Sequence, residues 1–275
     1  MTHATGAPCW MDLLTSDTAR AREFYGRVFG WTGEEASPEF GGYFMFTIDG
    51  APVAGCMPVQ PGMDLADVWG VYLTSADATG TLAAAASLGA TTRLEPMPVA
   101  DLGVQALLDD PSGARIGIWQ PGTFAGFGPI GTGRPGTPAW FQLHATDYPG
   151  SVHFYRDAFG WSPQVMSDTD DFRLAALLDG QAGAPEQPVA GIMDANAHLP
   201  AGDGARWEIY VSVDDADKTL ATAAELGGTI VREAADTPFG RFGDLRDPMG
   251  AIFNVIGRLA AAIPRISPSR GAAGR

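Results

Sequence analysis

Seven residues in the second half of the chain combine acidic, polar and aromatic groups in a spacing that could bind or transform a small molecule. They fall at alternate positions of three short segments, and they are Trp140, Gln142, His144, Glu208, Tyr210, Ser212 and Asn254. A carboxylate desolvated among apolar neighbours has a raised pKa, so Glu208 could act as a general base with His144 or Tyr210 as the acid. The alternative is a structural role in which Glu208 hydrogen-bonds to Asn254 or another neighbour across a sheet. An aromatic wall beside a few polar groups also suits a flat, partly polar ligand.

The first half of the chain carries a corresponding set that is poorer in polar groups. Its members are Trp10, Asp12, Tyr72, Thr74, Arg115 and Trp119. Trp10 and Trp140 occupy matching places, and each could either contact a ligand or fill the core. We expect the second set to form the main site, with Trp140 as the stacking wall and Glu208 as the orienting or proton-accepting group. The reason is that buried polar groups without partners cost about 1–3 kcal/mol each, which a ligand and water would offset.

The alternation indicates β-strands that have one face in the core. Successive side chains of a strand point to opposite faces, so Met11 and Leu13 should pack under a helix while Trp10 and Asp12 line the other face. We call the face lined by the first set the first cleft, and the face lined by the seven residues of the second set the second cleft.

The whole chain is a tandem repeat. The octamer FYGRVFGW, which starts at Phe24, returns as FYRDAFGW at Phe154, and PCWMDLLTSD at Pro8 returns as PAWFQLHATD at Pro138. Later segments match in the same order with small insertions, which is typical of a duplicated domain. The predicted parts are a first domain at 8–122, a Gly- and Pro-rich surface linker at 123–137, a second domain at 138–257 and a flexible basic tail at 258–275.

Each domain contains two modules, in which a strand precedes a helix and further strands. Each predicted helix begins at an aspartate that can cap its N-terminus and stops at or near a glycine. The helices are predicted from Ser16 or Asp17 to Gly30, from Asp77 to Leu88, from Asp147 to Phe159 and from Asp215 to Leu226. The aromatic residues of the octamer recur at helical spacing, which favours the core over a ligand role for Phe24, Tyr25, Phe154 and Tyr155.

Taken together, these signatures resemble the vicinal oxygen chelate superfamily, which contains glyoxalase I, bleomycin-resistance proteins, fosfomycin-resistance enzymes and extradiol dioxygenases. The resemblance rests on FY…FGW after a capping aspartate, on a second helix that ends in LG and on DPxGA before the last strand, and it covers both halves. It implies an α+β fold of tandem glyoxalase-like domains, with four βαβββ modules whose curled mixed sheets surround clefts and whose helices lie outside.

The resemblance also implies a divalent metal in the cleft, held by His, Glu or Gln at set strand positions. In this chain those positions are Trp10, Gly70 and Gly117 in the first domain and Trp140, Glu208 and Asn254 in the second. Tryptophan and glycine supply no useful donor, and a catalytic metal needs about three good protein ligands. We therefore expect no cofactor and no metal-ligand set. The alternative is a rebuilt site that binds a divalent metal with His144 and Glu208.

Composition restricts the partners of this chain. A net charge of −15 disfavours nucleic acid and anionic membrane surfaces. No apolar run reaches the roughly 20 residues of a membrane span, and the N-terminus lacks the features of a signal peptide. Cys9 and Cys56 make neither a disulfide framework nor a zinc site. We expect a cytoplasmic protein with a small-molecule partner, and a monomer, since four modules in one chain can pair internally.

The preferred interpretation is a metal-independent member of the superfamily that binds a small hydrophobic or aromatic metabolite. It would sequester that molecule, as resistance proteins do, or act as an accessory protein in a natural-product pathway. The competing hypothesis is an enzyme of the lyase, isomerase, dioxygenase or hydroxylase type that uses Glu208 and His144.

Overall fold

The computed structural model describes residues 3–179, 187–197, 199 and 202–257. In these residues the two halves repeat the same order of elements. The first half contains β1 (Pro8–Thr15), α1 (Thr18–Phe29), β2 (Thr32–Gly33), β3 (Phe44–Ile48), β4 (Ala51–Pro58), β5 (Val68–Thr74), α2 (Ala78–Ser87), β6 (Thr91–Val99), β7 (Gly103–Asp109) and β8 (Arg115–Pro121). The second half contains β9 (Pro138–Ala145), α3 (Tyr148–Phe159), β10 (Gln164–Asp168), β11 (Arg173–Asp179), β12 (Gln187–Asp194), β13 (Arg206–Val213), α4 (Ala216–Glu225), β14 (Thr229–Thr237), β15 (Gly240–Arg246) and β16 (Ile252–Gly257). The predicted α+β fold of four βαβββ modules is confirmed.

Each half forms one eight-stranded mixed sheet. The first sheet has the order β2-β3-β4-β1-β5-β8-β7-β6, and the second has the matching order β10-β11-β12-β9-β13-β16-β15-β14. The two modules of a half meet where β1 pairs antiparallel with β5, or β9 with β13. Because β1 also pairs with β4 and β5 with β8, the middle of each sheet brings together residues that are far apart in the sequence.

The helix boundaries follow the capping residues. The side chains of Asp17, Asp77, Asp147 and Asp215 each accept a hydrogen bond from a backbone N–H in the first turn of a helix. At the other end Gly30 and Gly160 take left-handed conformations, with φ of 73° and 69°. Each cap satisfies a backbone group that the helix itself leaves unpaired, so the helices begin and end within a residue or two of the prediction.

The repeated octamer joins the two domains. In α1 the Tyr25 hydroxyl accepts a hydrogen bond from Trp69 Nε1 (3.0 Å) and donates one to Asp247 Oδ2 in the other domain (3.0 Å). The second copy mirrors this arrangement, with bonds from Trp207 Nε1 to the Tyr155 hydroxyl (2.8 Å) and from that hydroxyl to Asp110 Oδ2 (3.0 Å). We call these two arrangements the relays.

The tryptophans that end the two octamers donate hydrogen bonds to the segments that precede β9 and β1. Trp31 Nε1 donates to the Gly136 carbonyl (2.7 Å), and Trp161 Nε1 donates to the Gly6 carbonyl (2.8 Å). The octamer aromatics Phe24, Tyr25, Phe154 and Tyr155 are all buried, as predicted. Each copy of the octamer therefore contacts the opposite domain as well as its own core.

The connection between the domains is irregular, but it does not run wholly over the surface as predicted. Phe127 and Ile130 are 5% and 9% exposed. The Phe127 ring stacks on Phe141 with centroids 5.6 Å apart, and its backbone N–H donates to the Cys9 carbonyl. Apolar residues placed among the glycines and prolines of this segment extend the core, which composition alone did not reveal.

Two further predictions lie at or beyond the edge of the described residues. The basic tail at 258–275 falls outside them. Within the part of the chain that the structure describes, no helix is long and apolar enough to cross a membrane.

Candidate functional site

Strand pairing brings most of the second cleft together. Tyr210 lies opposite Trp140 in the β9–β13 pair, Glu208 lies opposite Gln142, and Asn254 lies beside Tyr210 on β16. Ile209 and Val211, on the other face of β13, are buried in the core as the alternation predicts. The second cleft is therefore built from strand centres, where the backbone is fixed by pairing on both sides.

Glu208 is the most constrained group of this cleft. Its side chain is 4% exposed, and Oε1 accepts a 2.8 Å hydrogen bond from Arg206 Nε. Oε2 accepts a 2.8 Å bond from Asn254 Nδ2. Both carboxylate oxygens thus have donors, and a guanidinium neutralises the charge. Glu208 is buried but is not surrounded by apolar groups alone, and the hydrogen bond with Asn254 that the structural alternative describes is present.

His144 lies between Glu208 and the phenol of Tyr210. Its Nδ1 is 3.4 Å from Glu208 Oε1, and its Nε2 is 3.5 Å from the Tyr210 hydroxyl and 3.3 Å from Gln142 Nε2. Burial, followed by the negative charge of Glu208, raises the pKa of Tyr210 well above its usual value. Tyr210 is therefore a neutral phenol at physiological pH and can donate a proton to a hydrogen bond.

Trp140 is the aromatic residue that β9 contributes to the second cleft. Its indole is half-buried, its Nε1 donates to Gln142 Oε1 (2.9 Å), and its ring packs so closely on Gly191 that a Cβ there would lie 2.6 Å from it. The backbone of Ser212 bonds to Gly136 and Thr137 of the connection between the domains. Its side chain forms no hydrogen bond with the other described residues of the cleft.

Most polar groups of the second cleft satisfy one another, which corrects the expectation that several would await a ligand. Gln142 bonds to Trp140 and to the Met193 sulfur, and Glu208 bonds as described above. One acceptor in this cleft has no donor among the described residues. Asn254 Oδ1 is buried and accepts no hydrogen bond from the described residues.

The first cleft centres on Asp12. Its Oδ1 accepts hydrogen bonds from Trp10 Nε1 (2.7 Å) and from the Tyr43 hydroxyl (2.8 Å). Burial raises the pKa of Asp12 to about 6, while the hydrogen bonds from Tyr43, Trp10 and Tyr72 oppose that rise. Gly55 makes the arrangement possible, because a Cβ there would lie 2.0 Å from both Asp12 Oδ1 and the Tyr43 hydroxyl.

Trp10 belongs to the core rather than to the cleft surface. It is 5% exposed and packs edge-on against Phe124, with ring centroids 4.8 Å apart, and against Phe127 at 5.9 Å. Tyr72 lies opposite Trp10 in the β1–β5 pair, and its ring fills the space over Gly117, where a Cβ would come within 2.2 Å. An aromatic ring thus occupies the place next to one of the metal-ligand positions that the resemblance implies.

The donors present do not fit a metal of the family type. In the described ranges no three His, Cys, Asp or Glu side chains converge to hold an ion. Trp10 and Trp140 lack donors for a metal, and Gly70 and Gly117 lack side chains. In the second domain the carboxylate of Glu208 is already paired with a guanidinium.

Sequence reasoning missed two residues that shape the clefts. Arg206 precedes Glu208 by two positions and therefore shares its face of β13, so the alternation could have identified it. Tyr43 precedes β3 and reaches Asp12 only because β4 lies between β3 and β1 in the sheet. Only the strand order could have revealed Tyr43.

Comparisons with known proteins agree with this architecture. The family model described as the Glyoxalase/Bleomycin resistance protein/Dioxygenase superfamily matches residues 3–118 and 137–255. The anthracycline biosynthesis protein DnrV of Streptomyces peucetius is 34% identical over 268 residues, which cover 92% of this chain and 94% of DnrV. CFP32 of Mycobacterium tuberculosis, which is named only provisionally as a glyoxylase, is 33% identical over 260 residues, 91% of this chain and 94% of CFP32.

Solved structures show the same fold at lower identity. The Mn(II)-bound glyoxalase of Novosphingobium aromaticivorans superposes with a TM-score of 0.62 at 18% identity, over 94% of this chain and 83% of that one. Two matches of the family model and relatives that align along nearly the whole length establish the assignment. This chain belongs to the Glyoxalase/Bleomycin resistance protein/Dioxygenase superfamily and carries the family's domain twice.

Proposed function

We propose that this chain binds a small, flat, hydrophobic or aromatic molecule in its second cleft without a divalent metal. Its role would be to sequester that molecule or to act as an accessory protein in a natural-product pathway. Relatives named as anthracycline biosynthesis proteins support a natural-product role, because DnrV and DauV each match 92% of the chain at 34% identity.

The observation that carries this proposal is the buried acceptor Asn254 Oδ1. A buried polar atom without a partner costs about 1–3 kcal/mol, and such atoms are uncommon in native proteins. Asn254 Nδ2 is fixed by Glu208 Oε2 and the Ile209 carbonyl, so the amide cannot turn to hide the oxygen without losing both bonds. A ligand hydroxyl, or a water molecule held by the ligand, would supply the missing donor.

The difference in exposure between the two matching tryptophans supports the choice of cleft. The Trp10 ring is covered by Phe124 and Phe127, whereas Trp140 is half-buried. An indole that keeps part of its surface accessible beside polar groups is suited to bind an aromatic ligand.

The test is titration with 1,4-dihydroxyanthraquinone, a flat probe with two hydroxyls. We expect Trp140→Ala to weaken binding about tenfold or more, which corresponds to the roughly 1–3 kcal/mol lost when an aromatic anchor is truncated. Trp10→Phe is the matched control, since it alters the same position of the first domain and keeps an aromatic ring in the core. Equal losses in both variants, or a larger loss in the Trp10 variant, would place binding elsewhere.

Independence from metal is tested separately on the purified protein. We expect well under one zinc, nickel, manganese or iron per chain, and a thermal midpoint that a chelator leaves unchanged. The reason is that Arg206 already neutralises Glu208, the one carboxylate at a family ligand position. Stoichiometric metal that protects the chain against heat would refute this part of the proposal.

A second candidate function is catalysis, and the position of His144 favours it. Glu208 lies on the Nδ1 side of the imidazole, and the Tyr210 hydroxyl lies on the Nε2 side. In such an enzyme His144 would move the proton and Glu208 would orient it, rather than act as the base itself. The test is the isomerisation of a glyoxalase-type hemithioacetal. Turnover that is lost in His144→Gln but only reduced in Glu208→Gln would establish this candidate, and absence of turnover in the unmodified protein would remove it.

A further inference from the structure

The carboxyl group of Asp12 in the first cleft has neutral donors only. Trp10 Nε1 and the Tyr43 hydroxyl both bond to Oδ1, and Trp10 Nε1 also lies 2.9 Å from the Tyr43 oxygen. Among the described residues, Asp12 forms no ion pair with an arginine, lysine or histidine. Nothing in the described part of the domain therefore neutralises this carboxylate directly.

The carboxylate of the second cleft differs in this respect. Glu208 pairs with Arg206 at 2.8 Å, and the acid Asp244 nearby pairs with Arg232 at 2.8 Å. An added cation would gain little there, because each negative charge already has a guanidinium. The two clefts thus offer opposite electrostatic conditions to a charged ligand.

Ionised Asp12 lacks compensation at neutral pH. Burial raises its pKa to about 6, which shows that the surroundings disfavour the charged form, yet at neutral pH most molecules still carry the charge. A half-buried anion without a counter-ion gains free energy when a cation binds beside it. The net charge of −15 favours the approach of cations to the chain as a whole.

The surroundings of Asp12 suit an organic cation. Tyr43 and Tyr72 are half-buried beside the carboxyl group, and aromatic rings attract ammonium groups through their π-faces. Gly70 lies opposite Asp12 in the β1–β5 pair, and a Cβ built there would meet only the Asp12 carbonyl oxygen, at 3.8 Å. The missing side chain leaves space on this face of β5 next to Asp12.

We propose that the first cleft is a second binding site, which takes the protonated amine of an organic molecule with Asp12 as its counter-ion and Tyr43 and Tyr72 as its aromatic partners. This site is independent of the proposed aromatic site at Trp140, so either proposal can fail alone. Hydrated inorganic cations fit less well, because the described residues around Asp12 offer aromatic surface and hydrogen-bond donors rather than additional oxygen ligands.

The experiment compares 2-phenylethylamine with its neutral analogue 2-phenylethanol, by titration calorimetry of the full chain near neutral pH. We expect the amine to bind at least about tenfold more tightly, which is about 1.4 kcal/mol. Asp12→Asn keeps an oxygen acceptor for Trp10 and Tyr43, so the fold is retained and the preference for the amine is lost. Asp67→Asn is the charge control, since it removes one acid from the same domain at a residue that bonds to Ser16.

The pH dependence of amine binding provides a second readout. Affinity should fall as pH drops through about 6, because Asp12 becomes protonated while the amine stays charged. The other titratable groups that interact with Asp12 are Tyr43, Tyr72, Cys9 and Cys56, and burial raises the pKa of each, so all four stay neutral over this range. The Asp12→Asn variant should show no such dependence.

Three results would overturn the proposal. One is equal binding of the amine and the alcohol, or no binding of the amine at millimolar concentration. Another is an Asp12→Asn variant that keeps both the affinity and its pH dependence. The third is loss of amine binding in Trp140→Ala with Asp12→Asn unaffected, which would place the amine in the second cleft.

Discussion

Substitution of Tyr155 by Phe tests whether the relays hold the two domains together. The change removes one oxygen and keeps the ring, which lies in a buried cluster with Phe159, Trp161 and Trp207. Without that oxygen the carboxylate of Asp110, 4% exposed, loses its donor from the opposite domain. Trp207 Nε1 loses its acceptor at the same time.

The expected decrease in the free energy of unfolding follows from the loss of these two hydrogen bonds. A hydrogen bond to a charged group contributes about 1.5–3 kcal/mol, and an orphaned buried donor costs about 1–3 kcal/mol. Asp110 keeps the hydrogen bonds that Ser112 and Ala114 donate to Oδ1. These bonds still offset part of the cost of burying the carboxylate. We therefore expect Tyr155→Phe to lower the free energy of unfolding by about 2–4 kcal/mol.

Urea denaturation followed by tryptophan fluorescence and by circular dichroism measures this loss. Tyr25→Phe should cost a similar amount, because the first relay has the same groups at nearly the same distances. Tyr148→Phe is the matched control on α3, since Tyr148 is 7% exposed and its hydroxyl makes no hydrogen bond with the described residues. We expect a change there within about 0.5 kcal/mol.

A double-mutant cycle identifies the bond between the domains as the cause. Combining Tyr155→Phe with Asp110→Asn should give a coupling energy of at least about 1 kcal/mol, since the two groups are in direct contact. Strictly additive losses, or a Tyr155→Phe effect no larger than that of Tyr148→Phe, would show that the relay does not stabilise the pairing.

Three further predictions concern the first cleft and the assembly. Gly55→Ala should lower the free energy of unfolding by about 1–3 kcal/mol in urea melts, because the new Cβ would meet Asp12 and Tyr43 at 2.0 Å, whereas Gly128→Ala, with no atom within 4 Å of the Cβ, should be tolerated. Burial raises the pKa of Asp12 from 3.8 to about 6, so the folded state binds a proton more tightly than the unfolded chain in that interval. Stability should then decrease as pH rises through it, and melts of Asp12→Asn should show a smaller decrease. Sedimentation at micromolar concentration should give a monomer, because each domain already finds its partner within the chain, and an obligate dimer would contradict this.

Local signals in the sequence predicted the parts of the fold that depend on a few neighbouring residues. A capping Asp17 and a left-handed Gly30 define α1 by hydrogen bonds within one turn, so its ends could be predicted closely. The alternation in β1 likewise separated Met11 and Leu13 from Asp12. The duplicated segments predicted that the order of elements in one half should recur in the other, as it does.

The details of the clefts depend on contacts that no local pattern contains. Tyr43 reaches Asp12 across β4, and Phe127 enters the core from a segment rich in glycine and proline. The partner of Tyr25 is an aspartate in the other domain, so its burial was predictable but its role between the domains was not. Each of these contacts depends on strand order and domain packing, which a single sequence specifies only through the whole fold.

The octamer positions match between the halves, whereas several positions at the centres of the sheets do not. Tyr25 and Tyr155 occupy matching octamer positions, are buried and donate hydrogen bonds to the opposite domain. The halves differ at the centres of the sheets, where Gly70 matches Glu208 and where Asp12 matches a glutamine. At these centres the first domain has a carboxyl group with neutral donors and an open space, and the second has a neutralised carboxylate. The octamer residues that pair the domains lie away from the clefts, so the clefts can differ while the fold is kept. We therefore expect ligand specificity to depend on the cleft residues alone.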